Sequence, residues 1–194
     1  MKVASSQTLR KLSSLAAKAD CLAGTVPLHR AYILLHGRHS PRTFPSRITS
    51  PLLSTLRQHA LRWSALVNVA WVPSNTPNPP ENLEDVDTYN LLAFSRDRAP
   101  LQIPSVAMYN LVDACIQLDK HLKGPPASMA NSNPDGLLSL YVCTHGARDC
   151  RCGEWGRKLA GALREEVRKR KETEPTGKYS RVVVGEVGHV GGHQ

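Results

Sequence analysis

Residues 141–153 read YVCTHGARDCRCG, and the apolar run 137–142 that leads into them predicts a β-strand. This strand delivers Cys143 at its carboxyl end, and a polar loop follows. A helix is predicted from Gly153 to about Lys171, because apolar side chains there recur at helical spacing. The predicted buried stripe of that helix consists of Trp155, Leu159, Ala162, Leu163 and Val167.

A second strand and loop complete the pattern near the end of the chain. Residues 180–187 (SRVVVGEV) predict a valine-rich strand, and the loop GHVGGH follows at 188–193. If the two strands run parallel, both loops lie at one edge of the sheet, a common place for sites in α/β proteins. Thiolates and neutral imidazoles bind borderline and soft metals. The candidate ligands are Cys143, Cys152, His189 and His193.

Spacing alone leaves the kind of site open. Zinc fingers place their paired cysteines two to four residues apart, whereas Cys143 and Cys152 are separated by eight residues. Two glycines lie between His189 and His193, and each costs about 1 kcal/mol in a helix, so a loop is favoured over a metalloprotease helix. Iron–sulfur and structural zinc stand as equal alternatives. A thiol–disulfide oxidoreductase using Cys150 and Cys152 is a third, weakened by the missing Cys-x-x-Cys motif.

The part of the chain before this site has its own α/β pattern. Strands alternating with helices predict an N-terminal α/β domain over residues 20–123, followed by a Gly/Pro/Asn-rich linker at 124–136 and a C-terminal domain at 137–194. The predicted N-terminal elements are strands at 30–36, 65–72 and 89–94 and helices at 50–63 and 106–122.

The first nineteen residues form a leader or flexible N-terminus in this division. They contain four basic residues and several serines but no acidic residue, which is typical of a mitochondrial transit segment. A solvated N-terminus is an equal alternative. We therefore expect a mitochondrial or cytoplasmic protein, with the mitochondrion slightly favoured.

Composition argues against several classes of protein. The net charge is +9, but aromatic residues are not interleaved with the basic clusters, so no nucleic-acid partner is predicted. No apolar run approaches the roughly 20 residues that a membrane helix needs, so no membrane insertion is predicted. Five cysteines, an odd number, do not suggest a secreted disulfide scaffold.

The motif residues resemble the sucrase/ferredoxin-like family. The resemblance lies in Cys143-x8-Cys152-Gly153 followed by His189-x3-His193, and it extends upstream through 20–27 (DCLAGTVP) and 44–47 (FPSR). It covers nearly the whole chain after residue 19 and is strongest to the fungal altered-inheritance-of-mitochondria group. The resemblance implies a thioredoxin-like ferredoxin domain that binds a [2Fe–2S] cluster through two Cys and two His.

Carried over to this sequence, the cluster ligands would be Cys143, Cys152, His189 and His193. The resemblance then implies a one-electron carrier in redox homeostasis that is not itself an enzyme, with an unidentified redox partner protein or reductase. Neutral imidazoles in place of two thiolates raise the potential, to roughly −150 to +300 mV in Rieske centres against about −400 mV for plant-type ferredoxins. Family members continue beyond the second His, so we expect the C-terminal domain to be incomplete at Gln194.

Other polar residues near the motif receive lesser roles. Cys150 is predicted to be a bystander, and His145 to make hydrogen bonds within its loop. Arg148 and Asp149 are expected to pair or to cap backbone groups there. Cys115 lies on the apolar side of a predicted helix and is expected in the core.

Overall fold

The computed structural model describes residues 28–73, 87–96, 98–124, 136 and 138–190 of the 194-residue chain. The leader 1–19, most of the linker 124–136, Cys21 and His193 lie outside the described residues. The predicted leader and domain boundaries accordingly stay predictions.

The described strands form one mixed sheet. They are β1 (Ala31–His36), β2 (Ala65–Trp71), β3 (Tyr89–Ser95), β4 (Arg98–Val106), β5 (Leu138–Cys143) and β6 (Val182–Val187). Their order in the sheet is β4-β3-β1-β2-β6-β5. β1 runs parallel to β2 and β5 parallel to β6, whereas the β1–β3, β3–β4 and β2–β6 pairs are antiparallel. Because β6 pairs with β2, the described strands on both sides of the predicted linker share this sheet.

The helices of the described residues are α1 (Pro51–Ala60), α2 (Leu111–Lys123) and α3 (Arg157–Thr173). α1 begins where predicted, because the Ser50 hydroxyl accepts a hydrogen bond from the Leu53 amide at 3.2 Å and Pro51 occupies the first helical position. A π-helical turn, Cys152–Gly156, leads into α3. Among the described residues, no helix has the length and apolar character that crossing a membrane requires.

The main apolar core lies between the sheet and the first two helices. Successive side chains of a strand point to opposite faces. Ile33 and Leu35 of β1 face α1 and α2, while Leu34 faces the other side. α3 lies on the same side as α1 and α2, since its Arg164 stacks over Trp71 at 5.5 Å and Trp71 alternates in phase with core residues of β2. The buried residues of this core are Ile33, Leu35, Leu52, Leu53, Leu56, Ala60, Trp63, Val67, Val69, Leu91, Ala93, Ile103, Val106, Leu111, Ala114, Cys115 and Leu118.

The predicted α/β class is confirmed, and the arrangement is consistent with a thioredoxin-like fold. One helix is shorter than predicted: the spacing predicts it over 106–122, but it begins at Leu111. A short 3-10 helix, Met108–Asn110, precedes it, and before that lies the strand Arg98–Val106, which the sequence pattern did not indicate. Pro100 and Pro104 obscure that pattern, and proline is tolerated there because β4 is an edge strand.

The predicted buried stripe of α3 is wrong in part. Trp155 is 64% exposed and Leu159 is 52% exposed, and Ala162 is exposed as well. The side of the helix that meets the sheet instead carries small side chains, namely Cys152, Gly156 and Ala160. The backbone of the helix approaches the sheet too closely there for large side chains, so hydrophobicity alone pointed to the wrong side.

Replacing Leu56 with alanine should lower the free energy of unfolding by about 3 kcal/mol, because it opens a cavity in the main core. Leu56 is fully buried, whereas Leu61 nearby is 79% exposed. Leu61→Ala is therefore the matched control, with an expected change within about 0.5 kcal/mol. Urea unfolding measures both, and equal losses in the two variants would contradict the placement of α1 on the core.

Candidate metal centre

Two neighbouring parallel strands position the candidate ligands. β5 ends at Cys143, which lies opposite Val187 at the end of β6. The Thr144 amide donates to the Val187 carbonyl at 3.3 Å, so the two loops start side by side. The parallel arrangement on which the predicted site depends is therefore present.

Three of the four predicted ligands come together at this edge. The donor atoms of Cys143, Cys152 and His189 all lie within 4.8 Å of one another. Cys152 Sγ is 3.8 Å from His189 Nδ1. Cys152 is buried, and the other two residues are half-buried. The fourth predicted ligand, His193, lies outside the described residues, and the roles of all four in metal binding stay predictions.

The chemistry of these donors suits a metal. Burial, together with the neighbouring Cys143, raises the pKa of the Cys152 thiol to about 12. At neutral pH this thiol keeps its proton unless a positive charge compensates the thiolate, which a metal ion does. Two sulfurs and an imidazole match both zinc and iron–sulfur ligand sets, so the donor types do not select between them.

Glycines allow the Cys loop to close on itself. A Cβ atom on Gly156 would overlap the carbonyl oxygen of Cys143. A Cβ atom on Gly153 would lie 2.6 Å from the Cα atom of Gly146. Backbone therefore packs directly on backbone at both ends of the loop, which brings the Cys152 turn next to Cys143.

A fully buried carboxylate lies behind both loops. Oε1 of Glu186 accepts from Nη2 of Arg42 at 2.5 Å and from Nη2 of Arg164 at 2.7 Å. Oε2 accepts from Ser40 Oγ at 2.6 Å, from Arg42 Nε at 2.9 Å and from Thr144 Oγ1 at 2.9 Å. Burial alone would raise the pKa of Glu186, but these hydrogen bonds outweigh it and lower the pKa from its ordinary value.

The His loop is held by a buried amide. Nδ2 of Asn68 donates to the carbonyl oxygens of Gly188 at 3.0 Å and His189 at 3.3 Å. The Gly188 amide donates to the Val69 carbonyl at 2.9 Å. A Cβ atom on Gly188 would lie 2.5 Å from Asn68 Oδ1, so this close approach requires glycine. β2 therefore holds the backbone on which His189 stands.

The His145 ring has a hydrogen-bonding role, as predicted, but its partners lie outside its own loop. It is 2% exposed, and its Nε2 lies 2.8 Å from the Pro45 carbonyl oxygen. Its Nδ1 lies 3.4 Å from the His189 amide nitrogen. Both bonds form when the ring is neutral with its proton on Nε2, because Nδ1 must accept. His145 therefore orients the backbone of His189, a candidate ligand.

The other predicted neighbours are partly as expected. Cys150 is exposed, unlike Cys152, and does not belong to the described donor cluster. Asp149 caps within the loop, since its Oδ1 accepts from the Arg151 amide at 2.9 Å. It also forms an ion pair with Arg151 at 2.8 Å, so the capping role predicted for this loop is confirmed. Cys115 lies in the core, as predicted.

Glu186 and Asn68 were not predicted as parts of the site. Each interrupts an otherwise apolar strand, in the sequences VVVGEV and ALVNVAW. A polar residue inside a buried strand must find hydrogen-bonding partners. That interruption is the signal in the sequence, although the partners lie too far along the chain to be read from it.

Glu186→Gln should lower the free energy of unfolding by about 3 kcal/mol at pH 7, because two arginines lose their buried partner. Glu165→Gln on the surface of α3 is the control, since its ion pair with Arg168 is exposed. We expect that control to change stability by less than about 0.5 kcal/mol in urea unfolding.

The effect of Glu186→Gln should also depend on pH. Because folding lowers the pKa of Glu186 below its ordinary 4.5, its stabilisation is complete above that value. It disappears as the pH falls through the lowered pKa. The stability difference between wild type and variant should therefore be constant near neutral pH and shrink below it in acid. A difference that grows in acid would contradict the assignment.

Asn68→Ala should weaken metal binding by about 10- to 100-fold without removing a ligand, because the His189 loop loses its anchor. Titration with Co²⁺, followed through thiolate-to-metal absorption, measures the affinity. Asn110→Ala is the control, since its side chain accepts from the Ala107 amide at 2.8 Å at the start of α2. Equal affinity in wild type and Asn68→Ala would show that the loop is positioned by other contacts.

The comparisons with known proteins agree with the motif. A family model described as sucrase/ferredoxin-like matches residues 22–194, which is most of the chain and includes every candidate ligand. Comparison with curated proteins and with solved structures gives no significant match. The finer resemblance to the fungal altered-inheritance-of-mitochondria group stays a prediction. On the family match, the chain belongs to the sucrase/ferredoxin-like family.

Proposed function

We propose that this protein carries single electrons on a [2Fe–2S] cluster held by Cys143, Cys152, His189 and His193. The observation that supports it is the cluster of three donor atoms within 4.8 Å of one another at the ends of β5 and β6. Membership of the family adds the ferredoxin-like character. The proposal includes a redox partner protein or reductase, in the mitochondrion or cytoplasm.

The cluster, when bound, supplies one-electron chemistry, and its ligand set determines the potential. Two imidazoles in place of two thiolates remove two negative charges, so reduction is less opposed than in all-cysteine ferredoxins. The buried carboxylate of Glu186 adds little to the local negative charge, because Arg42 and Arg164 both pair with it.

The residues around the ligands keep the site in place. Cys152 is 7% exposed, so its sulfur is largely removed from water. Asn68 donates to the carbonyl oxygen of His189, and His145 Nδ1 lies beside its amide nitrogen, so both hold the backbone of His189. Ligands oriented in this way lose little further freedom when metal binds.

Metal content tests the proposal. Protein purified without oxygen should be red-brown and contain two irons and two acid-labile sulfides per chain, as the [2Fe–2S] composition requires. Cys143→Ser and Cys152→Ser should abolish or severely distort the cluster, because each removes a thiolate ligand. Cys150→Ser is the matched control and should retain it, since Cys150 is exposed and outside the donor group.

Two outcomes would contradict this assignment. A single zinc per chain without acid-labile sulfide would identify a structural zinc site. Loss of the cluster in Cys150→Ser, with retention in Cys152→Ser, would show that Cys150 is a ligand and Cys152 is not. His189→Cys offers a further check, since an added thiolate should keep the cluster and lower its potential.

A further inference from the structure

Apolar side chains stand in solvent beside the candidate metal centre. Trp155 is 64% exposed and follows the ligand Cys152 by three residues, which places it on the neighbouring helical turn. Leu159, four residues further on, is 52% exposed. On the other ligand segment, Val190 is 41% exposed directly after His189. A large aromatic residue in this position adds nothing to the core, so its placement needs another explanation.

The exposed tryptophan lies among basic side chains. Lys158 Nζ is 4.5 Å from the centre of the Trp155 ring. Arg148, Arg151 and Arg157 are exposed within the same segment. Over residues 148–159, four basic residues against two acidic ones leave a net charge of +2. Tryptophan and arginine are also the residue types enriched at the energetic centres of protein interfaces.

We infer that Trp155, Leu159 and the surrounding basic residues form a docking surface for an acidic redox protein. The occupant must be acidic because the rim of the surface is basic. It must approach at this place because Trp155 is one helical turn from a proposed cluster ligand. The assignment of the partner as a redox protein rests on the proposed function, whereas the surface and its charge do not.

Residues 74–86 of this chain carry three acidic residues and no basic one, so they are an alternative occupant, which the quenching of Trp155 described below tests. Two other segments are poor occupants of the surface. Residues 1–19 contain four basic residues and no acidic one, so their charge repels the basic rim. Residues 125–135 carry only one acidic residue and no basic one. A separate acidic protein provides the charge complementarity that these segments lack.

A flavodoxin, an acidic protein that carries single electrons, is a suitable probe. Isothermal titration calorimetry of the full chain with oxidised flavodoxin should give binding that weakens about tenfold or more between 50 mM and 500 mM salt. Trp155→Ser and Lys158→Glu should each weaken binding about tenfold at 0.15 M salt, because one removes the apolar anchor and the other reverses a rim charge. Cytochrome c, a basic protein, should not bind.

Lys169→Glu is the matched control. Lys158 and Lys169 both lie on α3, are 62% and 61% exposed, and pair with a glutamate four residues earlier. They are eleven residues apart, about three turns or 16 Å along the same side of the helix, which exceeds the Debye length at 0.15 M salt. Lys169→Glu should change the affinity less than about twofold. No flavodoxin binding, or equal losses from Lys158→Glu and Lys169→Glu, would overturn the inference.

The rate of electron transfer gives a second measurement. Reduced flavodoxin should reduce the cluster of wild type about tenfold faster than that of Trp155→Ser, while dithionite reduces both equally. This comparison separates the two proposals. Absence of iron and sulfide with Trp155-dependent flavodoxin binding would overturn the proposed function alone. If the cluster is fully present but flavodoxin binding and the rate of cluster reduction are the same in wild type and Trp155→Ser, the docking surface alone is overturned.

Three other occupants are outcomes of the same experiments. Light scattering that shows a dimer in wild type and a monomer in Trp155→Ser would assign the surface to a second copy of the chain. Cosedimentation with phosphatidylserine vesicles that is lost in Trp155→Ser would assign it to a membrane. The fluorescence of Trp155 is obtained by subtracting the spectrum of Trp155→Phe from that of wild type. If acrylamide does not quench this fluorescence in the monomer, another part of the chain covers Trp155. Each of these results would overturn the proposal that an acidic protein docks on this surface.

Discussion

The buried carboxylate of Glu186 is the contact on which the metal centre depends. Its partners come from three separate parts of the chain: the turn at residues 40–42, Thr144 after β5, and Arg164 on α3. A buried carboxylate costs several kcal/mol unless its hydrogen-bonding capacity is filled. Few placements of these three segments fill it, so their positions are fixed together. Thr144 adjoins Cys143, and β6 leads to His189. The contacts of Glu186 therefore also fix where the two loops with the candidate ligands begin.

The two loops of the candidate site are positioned in different ways, one by close backbone packing and the other by hydrogen bonds. Glycines bring the Cys loop together, because any side chain at Gly153 or Gly156 would collide with the opposite backbone. Asn68 and His145 hold the His loop through its backbone groups. The position of the Cys loop is thus determined by steric packing, and the position of the His loop by hydrogen bonds. A site assembled in this way in the folded chain needs little reorganisation to accept metal.

Local sequence patterns predicted much of this arrangement. The rest depends on long-range contacts, which the sequence does not show. An apolar run indicated β5 and a valine-rich run indicated β6, and the positions of cysteine and histidine indicated the three donors that lie together. Pro100 and Pro104 obscured β4, which tolerates them as an edge strand. Trp155 was placed in the core because its hydrophobicity was weighed without knowledge of how near α3 lies to the sheet. Glu186 could be flagged as a polar interruption, but its partners are up to 146 residues away.

The bond between Asn68 and the His189 carbonyl joins residues 121 positions apart in the chain. Contacts of such separation form late in folding, since a long loop must close before they are made. The bonds from Asn68 to the His loop therefore need β2 and β6 to be paired, whereas the pairing of β5 with β6 is what brings the His loop beside Cys143. Zinc fingers differ in this respect, because there the metal drives folding. In this protein the pairing of β5 with β6 sets the distance between the two loops, so the candidate donors depend on the sheet for their positions.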